Sequence, residues 1–181
     1  MQTKYTNERK FVTYNDDIFQ CVNNRVKSGN TGSTVIVPHV CNNIDLFGAG
    51  FAAQVAKHYP SVKIDYHLLG KSFLRSNLGH SQFIKVYEDA KFKHRLYFVN
   101  MIAQNGIKSK DNIRPLNYLA LVKSMNSISQ FIQHNHKNEK VEIHAPKFGS
   151  GLAGGNWNFI ADLIEDIWKP YSVYIYNYVS K

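Results

Sequence analysis

Short apolar runs rich in β-branched residues alternate with helical patterns along most of the chain. The runs are KFVTY at 10–14, TVIVPHV at 34–40, QFIKVY at 82–87, RLYFVNMI at 95–102, VEIHA at 141–145 and SVYIYN at 172–177. Their length and composition are typical of strands buried in a sheet. Strands that alternate with helices predict a layered α/β domain.

Three of the intervals between these runs carry apolar residues at helical spacing. The three stripes are Phe51, Val55 and Tyr59; Leu121, Met125, Ile128 and Ile132; and Ile160, Leu163, Ile164, Ile167 and Trp168. We expect Pro60 to close the first helix, Pro115 to lie near the start of the second and Pro170 to end the third. The predicted fold is a three-layer α/β/α sandwich with a mixed, largely parallel central sheet, built as a single domain over residues 1–181.

The charge and motif content of the sequence limit the kinds of partner that this protein is expected to bind. The formal net charge is +9, from 22 Lys and Arg against 13 Asp and Glu, which favours an anionic ligand. The basic residues are scattered and no nucleic-acid-binding motif is present, so a nucleic-acid partner is disfavoured. No apolar stretch approaches the roughly 18 residues of a membrane span, and the polar start MQTKYTNERK lacks a signal-peptide core. We therefore expect a cytoplasmic protein with no membrane partner, and with Cys21 and Cys41 reduced.

Two glycine clusters lie between a predicted strand and a predicted helix. GAG occupies residues 48–50 and GSGLAGG residues 149–155. Both should lie at the carboxyl edge of the sheet, where open α/β folds bind ligands. Glycines there let backbone N–H groups and a helix N-terminus face an anion, so two facing loops could hold a diphosphate. The alternative is that both are only tight turns and helix starts.

Neither cluster fits a standard nucleotide motif. A P-loop requires a lysine followed by a hydroxyl residue, which both clusters lack. The first cluster also follows His39 and Val40 by the seven residues CNNIDLF, too long a turn for a Rossmann fingerprint. Within that insertion, the amides of Asn42 and Asn43 could bind the vicinal hydroxyls of a sugar, although Asn43 fits a turn cap better.

The segments PHVCNNIDLFGAGFA and HAPKFGSGLAGGNW together resemble the macro domain, a module that binds ADP-ribose. YNDDIF at 14–19 and NMIAQNGI at 100–107 extend the likeness over most of the chain. Within this family, also called the Appr-1''-p processing family, the histidine of PHVCN and the two glycine loops are most similar to the branch that hydrolyses ADP-ribose 1''-phosphate. Its substrate is a metabolite of tRNA splicing.

The resemblance implies a set of ligand-binding residues. Asp17 would accept a hydrogen bond from the adenine amino group beside the Ile18 backbone, with Asp16 in place of the usual glycine. Asn42 would contact the distal ribose. The remaining residues fall into two groups: Gly48, Ala49, Gly50 and Phe51 for the distal ribose and terminal phosphate, and Gly149, Ser150, Gly151, Leu152 and Ala153 for the diphosphate.

The sequence also departs from the hydrolases that remove ADP-ribose from macromolecules. The glycohydrolase branch has an aspartate where this chain has Ala153, and its partner lysine has no counterpart in Met101–Gln104. The mono-ADP-ribosyl hydrolase type has an aspartate behind its glycine run, which GAGFAAQ lacks. A reader that binds ADP-ribose without turnover is the main alternative, followed by a hydrolase acting on ADP-ribosylated macromolecules.

A phosphatase mechanism needs a group to activate water and donors to stabilise the phosphoryl oxygens. Backbone amides of the two loops can serve as donors. His39 is the best-placed candidate base in the sequence, with hydrogen bonding to backbone or orientation of the substrate as its alternative role. Asn42 and Asp45 are further catalytic candidates, and the alternative for Asp45 is a turn cap. Cys41 is a weak candidate phosphoryl acceptor. His80, His94 and His144 have no partners at metal-binding spacing, so neither a metal nor a cofactor is expected.

Overall fold

The computed structural model describes residues 9–28 and 32–177, which contain six strands and six helices. In chain order these are β1 (Val12–Tyr14), α1 (Ile18–Lys27), β2 (Thr34–Asn42), α2 (Gly50–His58), α3 (Pro60–Leu68), α4 (Lys71–Ser76), β3 (Ser81–Asp89), β4 (His94–Gln104), α5 (Tyr118–Asn135), β5 (Val141–Pro146), α6 (Trp157–Ile167) and β6 (Ser172–Tyr176). All six predicted strands are present. Their bounds differ from the predicted runs by a few residues at most.

The strands form one sheet in the order β1-β6-β5-β2-β4-β3. Every neighbouring pair is parallel except β3 and β4, which are antiparallel. From β2 the chain continues to β3 and β4 on one side of the sheet and to β5 and β6 on the other. The switch in direction therefore lies between β2 and β5, the place where open parallel sheets form a crevice for ligands.

Helices cover both faces of the sheet, because successive strand residues point to opposite faces. In β2, Val35 and Val37 pack with helices α1 to α4, while Ile36 packs with α5 and α6. All three side chains are fully buried. Two apolar cores therefore flank one sheet, and the structure is the expected three-layer α/β/α sandwich with a mixed, largely parallel sheet.

Three helices were absent from the sequence prediction: α1, α3 and α4. Pro60 does not merely close α2, which ends at His58, but is the first residue of α3. Proline suits this position because the first helical N–H has no partner to lose. The segment containing Asp17 begins α1, where the Asp17 carboxylate accepts hydrogen bonds from the backbone N–H groups of Phe19 and Gln20.

Candidate functional site

A cleft of about 1120 Å³ opens at the carboxyl ends of β2 and β5. Its two principal walls are the loop that joins β2 to α2 and the loop that follows β5. The structure places the following predicted residues in its lining: His39, Asn42, Asp45, Gly48, Ala49, Gly50, Phe51, Gly149, Ser150, Gly151, Leu152 and Ala153. The two glycine clusters thus face a single space at the switch point of the sheet.

The glycines of the two loops fall into two groups. Gly50 and Gly149 have φ angles of 56° and 74°, a region that residues with side chains rarely adopt. A Cβ on Gly155 would lie 2.4 Å from the Leu116 side chain, so packing requires glycine there. Gly48 and Gly151 have neither constraint: their φ angles are ordinary, and an added Cβ would meet nothing within 4 Å. The fold alone gives no reason for glycine at these two positions.

The first loop also brings a helix N-terminus to the cleft. Ala49 is the N-cap of α2, and no side chain caps that helix end. The first backbone N–H groups of a helix have no intrahelical acceptor and carry partial positive charge. By contrast, the N-terminus of α6 is capped by Asn156, whose side chain accepts from Phe159 N. The α2 end is therefore the better anion-binding end.

The two asparagines after β2 hold the loops of the cleft. The Asn42 side chain accepts from Ile44 N at 3.0 Å and Leu46 N at 3.2 Å, and donates to Leu46 O at 2.6 Å. Asn43 accepts from Gly106 N at 2.9 Å and donates to Asn105 Oδ1 at 3.1 Å. Asn43 therefore stabilises the turn, as expected. The Asn42 amide shapes its own loop, so a direct contact with a ribose stays a prediction.

His39 lies in the floor of the cleft and is 1% exposed. Burial lowers its pKa to about 4, so the ring is neutral at pH 7. Its Nδ1 lies 3.7 Å from Cys41 Sγ, and its Nε2 has no hydrogen-bond partner among the described residues. Burial raises the pKa of the Cys41 thiol, which disfavours the thiolate that a phosphoryl acceptor needs. His39 is a hydrogen-bonding group and a weaker base than an ordinary histidine.

Asp45 pairs with His67, a residue of α3 that the sequence did not single out. The distance from His67 Nδ1 to Asp45 Oδ1 is 2.6 Å, and both residues line the cleft. The two positions are 22 residues apart, and only the packing of α3 against the β2–α2 loop brings them together. Because α3 itself was not predicted, no local pattern indicated this pair.

Asp17 and Ile18 are not part of the cleft wall. Asp17 is exposed and caps α1, and Ile18 is 4% exposed in the core beneath that helix. The preceding segment does approach the cleft: Asn177, a lining residue, donates from its backbone N–H to Tyr14 O and from its side chain to Asn15 Oδ1. A role of Asp17 and Ile18 in adenine binding stays a prediction.

Three lysines of the scattered basic set lie at the cleft. Lys63 of α3, Lys108 and Lys147 all line it. Among the described residues no carboxylate forms an ion pair with any of the three, and Lys147 lies over the Trp157 ring at 5.6 Å from its centroid. Their positive charge is therefore available to an anion in the cleft.

Within 9–28 and 32–177, no group of three or more His, Cys, Asp or Glu side chains is arranged to hold a metal ion. No described helix combines the length and apolar character needed to cross a bilayer. Cys21 and Cys41 are both free thiols.

The sequence matches no protein-family profile. It is 29% identical over 136 residues to an uncharacterized 17.5 kDa protein from the tk–vs intergenic region of Enterobacteria phage T4. The aligned region covers 75% of this chain and 79% of the phage protein. A solved protein of unknown function from Bacteroides thetaiotaomicron superposes with a TM-score of 0.73 at 27% identity, over 95% of this chain and all of that one.

Structures described as macrodomains share the same architecture. A macrodomain protein from Streptomyces coelicolor has a TM-score of 0.61 at 23% identity, over 85% of this chain and 95% of its own. Thermosipho africanus DarTG, solved in complex with ADP-ribose, has a TM-score of 0.58 at 17% identity, over 81% of this chain and 38% of its own. The order of strands, the flanking helices and these superpositions agree: the chain has the macrodomain fold.

Proposed function

We propose that this protein binds ADP-ribose in the cleft and hydrolyses ADP-ribose 1''-phosphate to ADP-ribose and phosphate. The observation that carries the proposal is the pair Gly48 and Gly151. Both line the cleft from opposite loops, and neither backbone angle nor packing requires glycine at either position. A ligand whose phosphates approach the backbone of both loops supplies the missing reason.

ADP-ribose 1''-phosphate, the proposed substrate, fits the two glycine loops of the cleft. Its diphosphate lies against residues 149–153, and its distal ribose and terminal phosphate lie near residues 48–51, where the uncapped N-terminus of α2 is available. Charge-assisted hydrogen bonds contribute roughly 1.5 to 3 kcal/mol each. Three or four of them account for micromolar affinity, which is about 8 kcal/mol. A protein with this fold has been solved with ADP-ribose bound, which supports the ligand class.

Phosphate-ester hydrolysis requires positive charge near the phosphoryl oxygens in the transition state. The α2 N-terminus and the unpaired Lys63 meet this need at the end of the cleft formed by the first loop. His39 enters the proposal as a neutral residue in the floor of the cleft, and its Nε2 is buried without a hydrogen-bond partner among the described residues. Neither a metal nor a cofactor is part of the proposed reaction.

A reader without turnover is the second candidate. It is favoured by two observations: the lowered pKa of His39 weakens it as a base, and the buried Cys41 is a poor nucleophile. Such a reader would bind free ADP-ribose or ADP-ribosylated macromolecules. A hydrolase that removes ADP-ribose from macromolecules is less favoured, because Ala153 stands where the related glycohydrolases have an acidic residue.

The test is to incubate the purified protein with ADP-ribose 1''-phosphate, without added metal, and to quantify ADP-ribose and phosphate. We expect both products in equal amounts. A Gly151→Val variant, purified in the same way, should release much less of both, which excludes a contaminating phosphatase. Binding of ADP-ribose by calorimetry without phosphate release would instead identify a reader, and release of ADP-ribose from a modified protein or nucleic acid would identify the hydrolase.

A further inference from the structure

A carboxylate–imidazole pair forms part of the cleft wall beside the first glycine loop. Asp45 belongs to the loop between β2 and α2, and His67 belongs to α3. Asp45 Oδ1 lies 2.6 Å from His67 Nδ1, with the side chains 17% and 38% exposed, respectively. The pair thus combines a half-buried carboxylate with an imidazole that solvent and a ligand can reach.

One residue holds both halves of this pair in place. Asn42 binds the backbone N–H groups of Ile44 and Leu46, the residues on either side of Asp45. Asn42 also accepts hydrogen bonds from the Tyr66 hydroxyl, whose Oη lies 2.8 Å from Asn42 O and 3.0 Å from Asn42 Oδ1. Tyr66 is fully buried and directly precedes His67 in α3. The loop and the helix are therefore tied to each other at Asn42.

The contact fixes which imidazole nitrogen is available. A carboxylate at Nδ1 favours the tautomer with the proton on Nδ1, which leaves the lone pair on Nε2. His67 Nε2 has no hydrogen-bond partner among the described residues. Lys63, one helical turn before His67, also lines the cleft. A base and an unpaired cation thus come from one helix, beside the loop proposed to hold the terminal phosphate.

We propose that His67 is the general base of the phosphatase reaction, with Asp45 as the residue that positions it; this inference rests on the proposed function. Nε2 removes a proton from water as the water oxygen bonds to phosphorus. The bond between phosphorus and the 1''-oxygen breaks, and its electron pair stays on the sugar oxygen. That oxygen takes up a proton from solvent, and the His67 imidazolium releases its proton to solvent, so one water is consumed and ADP-ribose and phosphate are formed.

The test compares phosphate release and ADP-ribose binding in matched variants. His67→Gln should lower kcat by about 100-fold or more, the range typical for loss of a general base. ADP-ribose affinity, measured by calorimetry, should change less than about threefold, because a base that acts on water adds little to ground-state binding. In His67→Ala, added imidazole should restore part of the lost rate, which a purely structural role would not allow.

Asp45→Asn tests the positioning role. Asparagine tolerates the positive φ of 65° at this position but carries no charge to hold the imidazole. We expect kcat to fall by roughly 10-fold or more with KM little changed, because the wrong tautomer is no longer excluded. His134→Gln, on the exposed end of α5, and Asp65→Asn, on α3 but outside the cleft lining, are the controls and should retain full activity.

The outcomes separate this inference from the proposed function. An active wild-type protein whose His67→Gln variant keeps kcat within about threefold would overturn the role of His67 and leave the phosphatase in place. The role of His67 is supported if the His67→Gln variant is inactive but binds ADP-ribose normally, and if imidazole restores activity to the His67→Ala variant. A wild-type protein that binds ADP-ribose but releases no phosphate would overturn both.

Discussion

At the scale of single residues, the cleft separates glycines that the backbone needs from glycines that a ligand needs. Gly149 has a positive φ and lies close to the side chains of Leu116 and Ile160, so the fold itself explains it. Gly48 has open space at its Cβ position and an ordinary φ. A substitution at Gly48 should therefore affect an occupant of the cleft far more than it affects folding.

We predict that Gly48→Val weakens ADP-ribose binding by at least about 10-fold while the melting temperature falls by less than about 2 °C. The valine side chain would enter the space that the ligand needs, and it meets no protein atom within 4 Å of its Cβ. Calorimetry and thermal unfolding measure the two effects. Ala90→Val, in the β3–β4 turn at the opposite edge of the sheet, is the control for the added side chain. Unchanged affinity in Gly48→Val would contradict a contact between the distal ribose of the ligand and this loop.

At the scale of elements, helix α1 is attached to β5 by a partly buried ionic network. Arg25 donates two hydrogen bonds of 2.7 Å to the Glu142 carboxylate. His144 Nε2 lies 3.2 Å from the same carboxylate, and His144 Nδ1 lies 2.8 Å from Tyr176 Oη. Because Asp17 caps the other end of α1, this network also fixes the segment proposed to reach the adenine.

The same network makes stability depend on pH. Burial by itself would raise the pKa of Glu142, but hydrogen bonds from Arg25 and His144 and the charge of Arg25 outweigh it and lower the pKa well below its usual value. A carboxylate with a lowered pKa in the folded state contributes stability above its unfolded pKa of about 4.5, and this contribution is lost as the pH falls further. The network should therefore weaken in acid.

We predict that Glu142→Gln lowers the free energy of unfolding at pH 7 by roughly 2 kcal/mol, because a charged hydrogen-bond acceptor is lost beside Arg25. Between about pH 5 and about pH 3, the variant should lose less stability than the wild-type protein, since it lacks the titrating carboxylate. Urea denaturation at several pH values measures both. Asp166→Asn, at an exposed position of α6, serves as the control. A variant with the pH dependence of the wild-type protein would contradict this role of Glu142.

At the scale of the whole molecule, the fold concentrates part of the positive charge behind the net charge of +9 at the cleft. Lys63, Lys108 and Lys147 come from three separate segments and meet at one cleft. Other basic residues are paired on the surface, such as Arg95 with Glu88 and Glu139. The unpaired charge at the cleft should attract an anionic ligand, and salt should weaken that attraction.

We predict that the Kd of ADP-ribose rises several-fold between about 50 and about 500 mM NaCl, because the Debye length shrinks across this range. The double variant Lys63→Gln and Lys147→Gln should bind more weakly at low salt and show a smaller salt dependence. Calorimetry at several salt concentrations measures the slope. Lys137→Gln, in the exposed turn after α5 at the opposite edge of the sheet, is the control. An equal slope in the double variant would show that these lysines are not near the bound anion.

Much of this architecture follows from local patterns in the sequence. The six β-branched runs predicted the six strands, and the glycine clusters indicated the ligand-binding edge of the sheet. Helix α1 also has a local signal, because Ile18, Val22 and Val26 recur at helical spacing behind the Asp17 cap, although it is not among the three predicted helices. Helix α3 gave a weaker signal, with two buried residues, Val62 and Tyr66, in its nine-residue length.

The sequence by itself therefore determined the α/β class, the two loops and their place at the sheet edge, because strand, helix and turn propensities act over a few neighbouring residues. Only the tertiary structure decided what faces the cleft. It buried His39 and changed its acid–base character, committed the Asn42 amide to the loop, and brought His67 to Asp45 across 22 positions. Burial and long-range contacts depend on how distant segments pack, and no local pattern encodes them.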